Sequence, residues 1–258
     1  MLKKRIIPKF LLRSGRLVKG VRFHENFREA GNPVSTSKVY DAYGVDELIF
    51  LDIQASADSR QLVCDTISKI SEDIFMPFTA GGGIQTKEHI NQLLRSGADK
   101  VSINTAAVER HGFIKAAAQT FGDQCIVVGI DYRQVEPGIF KVFTHGGRHA
   151  TRLDPVEWAI EMQANNCGEI LLCSIDRDGT MAGYDLEMIQ KLSERLEIPL
   201  IASSGAGSLQ DCVDALNAGA SAITISSMFF FTDHSPIKVR SYLHSQKVNV
   251  RASRNSRN

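Results

Sequence analysis

The chain contains itself twice. Residues 76–108 lie on residues 198–230 without a gap, at a constant offset of 122 residues. Both copies carry a proline after the first residue (Pro77, Pro199), a glycine after the apolar run (Gly83, Gly205) and a Gly-Ala pair before the next run (Gly97-Ala98, Gly219-Ala220). Each copy therefore reads strand, glycine turn, helix, strand. Carried backwards, the offset pairs Glu47 with Glu169 and the run LIFLD with ILLCS, so the duplication covers at least half the chain. A repeat of this length is too large for a solenoid unit and points to two half-barrels fused into one closed sheet.

With 258 residues, 43% hydrophobic and 23% charged, the chain has the length of a single (βα)8 TIM barrel, about 250 residues. The expected organisation is one barrel domain over 1–258, ending in a basic tail from about 251 that carries Arg251, Arg254 and Arg257. Eight short apolar runs alternate with helix-like segments, as in βαβ units: 5–12, 47–52, 77–80, 100–103, 124–131, 169–174, 199–202 and 222–225. Helices with N-cap signals and apolar spacing of three and four are predicted over 86–95, 154–164, 185–194 and 208–217. Two connections are long, 14–32 and 135–153, and the second reads as a small hairpin around Gly146-Gly147. Both follow strands, so both belong to the catalytic face of a barrel and can act as lids.

A net charge of +1 gives no general attraction to nucleic acid or an anionic membrane. Five scattered cysteines, an odd number without a C-x-x-C pair, favour a reducing compartment, and a cytoplasmic location is expected. Pro8 and Lys9 interrupt an N-terminal apolar run already short for a signal peptide, and no 18-residue apolar span exists.

In a parallel barrel the loops after the strands meet at one mouth, where glycine turns and helix N-termini offer backbone N–H groups to phosphate oxygens. Each half supplies such a turn. The first is Gly81-Gly82-Gly83 with Ser102, Asn104 and Thr105; the second is Gly205-Ala206-Gly207 with Thr224, Ser226 and Ser227. An isolated glycine there more often serves packing, but matched hydroxyls and amides on both halves favour two phosphate sites and a substrate phosphorylated at both ends. Asp131, ending the fifth run, is the sharpest acid/base candidate. Asp176 and Asp178, followed by Gly179-Thr180, end the sixth, with Asp178 as the second catalytic candidate and Gly179 as a substrate contact; a solvated turn is the plain alternative. His145 and His149 are separated by glycines that oppose a shared metal, so they are read as loop histidines, with no metal site and no cofactor implied. Trp158 reads as core. At the opposite strand ends stand Arg5, Glu47, Lys100 and Glu169, which either close the barrel floor as an ion-pair ring or remain four independent surface charges; spacing leaves both open.

These residues resemble the cyclase subunit of imidazole glycerol phosphate synthase over essentially the whole chain. The matching segments include Lys4-Arg5-Ile6-Ile7, 15–20, Asp46-Glu47-Leu48, Gly81-Gly82-Gly83-Ile84, 98–106, 174–180 and Val248-Asn249-Val250-Arg251. The resemblance implies a barrel that takes ammonia from a glutamine amidotransferase docked beneath its floor and uses it to cleave and cyclise a bisphosphorylated ribonucleotide. It further implies that Arg5, Glu47, Lys100 and Glu169 form an ammonia gate, that Lys19 contacts substrate from a mobile first loop, and that ammonia travels along the barrel axis. One departure stands out. The family pairs an aspartate ending the first strand with one ending the fifth; here Asp131 is retained, but Leu11 replaces its partner, and no Asp or Glu occurs between Met1 and His24. The segment 6–12 is similar to a divergent branch associated with acetamidino modification of surface sugars. The expectations are therefore an ammonia-dependent synthase subunit aminating an acetamido sugar, an authentic cyclase of histidine biosynthesis, or a scaffold that only activates the glutaminase.

Overall fold

The computed structural model describes residues 3–24, 26–54 and 57–251. Part of the basic tail thus lies outside the described residues. Twelve strands run in chain order: β1 Arg5–Arg13, β2 Arg16–Lys19, β3 Arg28–Gly31, β4 Leu48–Asp52, β5 Phe78–Gly81, β6 Lys100–Ile103, β7 Ile126–Glu136, β8 Ile139–Thr144, β9 His149–Ala150, β10 Glu169–Ser174, β11 Leu200–Ser203 and β12 Ala222–Ile225. Eight of them, the eight read from the sequence, pair side by side in parallel as β1-β4-β5-β6-β7-β10-β11-β12 and back to β1. A closed parallel sheet of eight with helices between its strands is a (βα)8 barrel. The helices are α1 Pro33–Ala42, α2 Ala57–Ser71, α3 Lys87–Arg95, α4 Thr105–Glu109, α5 Phe113–Phe121, α6 Pro155–Ala164, α7 Leu186–Ser193, α8 Leu209–Asn217, α9 Ser227–Phe231 and α10 Pro236–Ser245.

The duplication is visible in the caps. Thr86 and Ser208, 122 residues apart, each accept a hydrogen bond from the third residue of the helix that follows, α3 and α8. At Ser208 the Asp211 carboxylate also reaches back to the cap N–H, completing a capping box.

Alternation along the strands splits the core in two. The larger part lies between sheet and helices and includes Phe10, Phe50, Trp158 and Ile223. The smaller part fills the barrel itself: Ile7, Ile49, Val127, Leu171, Ile201 and Ala222, none more than 3% exposed. This interior layer sets the register of everything above it. On β1 the same face carries Arg5, Ile7, Lys9 and Leu11; on β7 it carries Val127, Gly129 and Asp131.

The long first connection carries two strands beyond the eight barrel runs. β2 folds back antiparallel on the upper end of β1, with Leu11 opposite Val18, and β3 pairs with β2. In the second excursion β7 runs on into a hairpin with β8, and β9 returns against β8, as the Gly-Gly turn implied. No helix among the described residues is long and apolar enough to cross a membrane.

Candidate functional site

The four charged residues below the apolar layer form a closed ring. Arg5 reaches Glu47 at 2.7 Å and Glu169 at 3.0 Å; Lys100 reaches Glu47 at 3.0 Å and Glu169 at 2.9 Å. Signs alternate around the circuit, so each carboxylate is held by two cations. Thr79 donates a further hydrogen bond to Glu47 at 2.8 Å. The alternative of independent surface charges is thereby excluded. Directly above, the six apolar side chains pack the axis.

Above that layer the interior turns polar. Asp131, at the upper end of the barrel portion of β7, accepts a hydrogen bond from Asn104 Nδ2 at 2.7 Å. Desolvation in the barrel pushes its carboxyl up to about 6; the Lys9 ammonium pulls the other way and the Asp178 carboxylate adds to the rise. A carboxyl titrating there can take and return a proton near neutrality. Asp178 is 2% exposed, accepts two hydrogen bonds from Lys19 Nζ at 3.1 and 3.3 Å, and one from Ser204 at 3.3 Å. Asp176, two residues earlier, instead binds the Gln134 N–H and faces Arg133 at the surface.

Lys19, expected in the first connection as a substrate contact, ends β2, is 3% exposed and is bound to Asp178. Burial lowers its pKa below the usual lysine value; Asp178 opposes that shift and Lys9 reinforces it.

The two glycine turns flank this centre. Gly82, Gly83 and Gly205 adopt φ of +105°, +60° and +103°. A Cβ at Gly82 would lie 2.1 Å from the Asp52 carbonyl oxygen, and one at Gly205 would lie 2.1 Å from that of Gly183. Close loop packing therefore already requires glycine at both places, as the plain reading held. The neighbouring oxygens say more. Asn104 Oδ1 and Ser226 Oγ, 122 residues apart, are both buried without a hydrogen-bond partner. Each sits at the N-cap of a short helix, α4 or α9, and makes no cap hydrogen bond. A ligand group or a water in each half would satisfy these matched polar atoms. Thr105 Oγ1 already accepts from the His145 N–H at 3.0 Å, whereas Ser226 and Ser227 line an open pocket with Lys9, Lys19, Gly179, Gly205 and Thr224. The two turns are thus unequal: the second has two lysines beside it.

Gly179, a candidate ligand contact, has a structural duty: at φ +72° it packs so closely that a Cβ would lie 2.5 Å from the Gly20 carbonyl oxygen. His145 and His149 stack with ring centres 4.4 Å apart, and no group of three or more His, Cys, Asp or Glu suited to a metal occurs among the described residues. Trp158 is buried core.

Three participants escaped the sequence reading. Ser203 and Ser204 follow the run at 199–202, and Ser204 holds φ +81°, a strained conformation for a residue with a side chain. Lys9 is the third. Its Nζ donates to Ser203 Oγ at 2.7 Å, lies 3.5 Å from Cys173 Sγ and 3.9 Å from Asp178 Oδ1. Period-two alternation starting from Arg5 of the floor ring places it inside the barrel.

A family model described as "Histidine biosynthesis protein" matches residues 5–235. The chain belongs to this family. Its members are catalytic (βα)8 barrels of the cyclase type, and the closed sheet, the charged floor and Asp131 at the mouth agree with that membership.

Proposed function

We propose that this histidine-biosynthesis-family barrel is the synthase subunit of an ammonia-channelling pair, in which a glutamine amidotransferase docks against the floor ring. The acceptor at the mouth is an acetamido sugar, converted to an acetamidino sugar for surface polysaccharide. One observation carries the choice of acceptor. The interior face of β1 ends in Leu11, where the family resemblance calls for an aspartate to pair with Asp131, and the inward position before it holds Lys9. The proton shuttling of a cyclase relies on two facing carboxylates; losing one of a general acid–base pair forfeits about 10²–10⁴-fold in rate. A leucine also raises the cost of placing a charged intermediate beside it. Addition of ammonia to an acyl carbon needs one proton acceptor, and Asp131 supplies it. The pocket by Ser226, with Lys9 and Lys19, suits a phosphate of a nucleotide-linked sugar.

A second reading, an authentic cyclase, is favoured by one observation. Asp178 is a second buried carboxylate close enough to raise the Asp131 pKa. Complementation separates the two. A strain lacking the cyclase but carrying this chain and its glutaminase should still require histidine; growth without histidine would overturn the sugar reading. A pure scaffold would leave pathway flux unchanged when Asp131 is replaced by Asn.

A further inference from the structure

Lys9 is buried at 3% exposure inside a barrel whose neighbouring interior positions are small. Gly129, Ser203 and Thr224 follow the apolar layer on their strands, and a Cβ at Gly129 would find nothing nearer than Ser102 Oγ at 3.4 Å. Small residues make room for one long side chain, and β1 provides it. Burial opposes the charge on Lys9, yet its pKa lies above the ordinary lysine value. Cys173, and after it the carboxylates of Asp178 and Asp131, oppose that burial and keep the ammonium charged. Of its three N–H donors, one goes to Ser203 and a second, weaker one to Cys173. The third has no hydrogen-bond acceptor among the described residues, and Lys9 lines the open pocket at the second glycine turn. A fixed, desolvated cation directly above the apolar layer suits an oxygen gaining negative charge and repels a cationic intermediate.

We propose that Lys9 is a catalytic residue, whose ammonium holds the acyl oxygen of the acceptor and stabilises the alkoxide formed when ammonia adds. The inference rests on the acyl-acceptor reading above. The ammonia lone pair forms the C–N bond, and the carbonyl π pair moves onto oxygen beside Lys9. Two protons, both originating on the ammonia nitrogen and relayed by Asp131, reach that oxygen, which leaves as water with the C–O electron pair and yields the amidine. Lys9 thus supplies charge where Leu11 supplies none.

The test uses methylphosphonate, a small tetrahedral oxyanion shaped like the adduct of ammonia with an acetyl group, titrated calorimetrically into the full chain. Wild type should bind it, Lys9→Met should bind at least tenfold more weakly, and Lys9→Arg should recover part of the loss. Ser226→Ala controls for capture at the glycine turn alone. Equal affinity in Lys9→Met, an equal loss in Lys9→Arg, or no binding to wild type would each overturn the role of Lys9. The outcome is independent of the complementation result: histidine-independent growth removes the acetamido acceptor, while the titration judges the cation itself.

Discussion

Asp131 carries the most direct prediction at the scale of a single residue. Its carboxyl, raised to about 6, is protonated below that pH and ionised above it. As the base that receives the proton of attacking ammonia, it should make log kcat/KM climb as pH rises through about 6 and level off above. Asp131→Asn should lose about 10²–10⁴-fold in rate and lose that acidic limb with it. A limb that survives the substitution would assign the titration to another group. The stability change has the opposite sign. A carboxyl whose folded pKa lies above its unfolded value binds its proton more tightly when folded, so stability falls as pH climbs between the two values. Relieved of that cost, the Asn variant should melt higher than wild type at neutral pH, which thermal denaturation will read. Asp131 was legible in sequence because a carboxylate ending a barrel strand has few structural uses. Lys9 was not: among apolar neighbours it read as an interruption, and only the alternation inherited from Arg5 indicates that it points inward.

Among the elements, the β2–β3 hairpin decides how the mouth is closed. It extends the upper end of β1, and four contacts fasten it to the loop after β10: the Lys19–Asp178 pair, the Arg22 N–H on the Asp178 carbonyl at 2.8 Å, Arg22 Nε on the Asp176 carbonyl at 3.0 Å, and the close approach of Gly179 to Gly20. A Cβ at residue 179 would be strained at φ +72° and would press on backbone, which cannot rotate away. Gly179→Ala should therefore lift the hairpin, speed amide exchange over 17–22 and weaken substrate binding, with the barrel still folded. Unchanged exchange in that segment would mean that the hairpin is held by β1 alone. The eight barrel strands were legible as apolar runs alternating with helix-like segments, and the duplication supports six of them. β2 and β3 were not, since RLVK and REAG are four residues each and take their strand character from pairing with the projecting end of β1.

At the scale of the whole molecule, the two ends of the barrel carry different groups, an ion-pair ring below and a polar centre above, separated by one apolar layer. The ring of Arg5, Glu47, Lys100 and Glu169 balances its charges internally and leaves no more than 18% of any of its side chains exposed. In the proposed complex such a ring would give the glutaminase something to open, because displacing one cation breaks two contacts at once. The ring as four charges in matched positions was readable from the sequence; its closure was not, because closure depends on a strand register that spacing does not specify. Lys100→Ala tests the arrangement. It leaves two carboxylates on one guanidinium, which should cost about 1–3 kcal/mol, below the roughly 3–5 kcal/mol of a fully buried pair because the ring is partly solvated. It also leaves the floor open. In the complex with the glutaminase, glutamine hydrolysis should then exceed product formation, while saturating ammonium salt, supplied at the mouth, restores the wild-type rate. Equal stoichiometry of hydrolysis and product in Lys100→Ala would reduce the ring to a structural fastening and place the control of ammonia entry elsewhere.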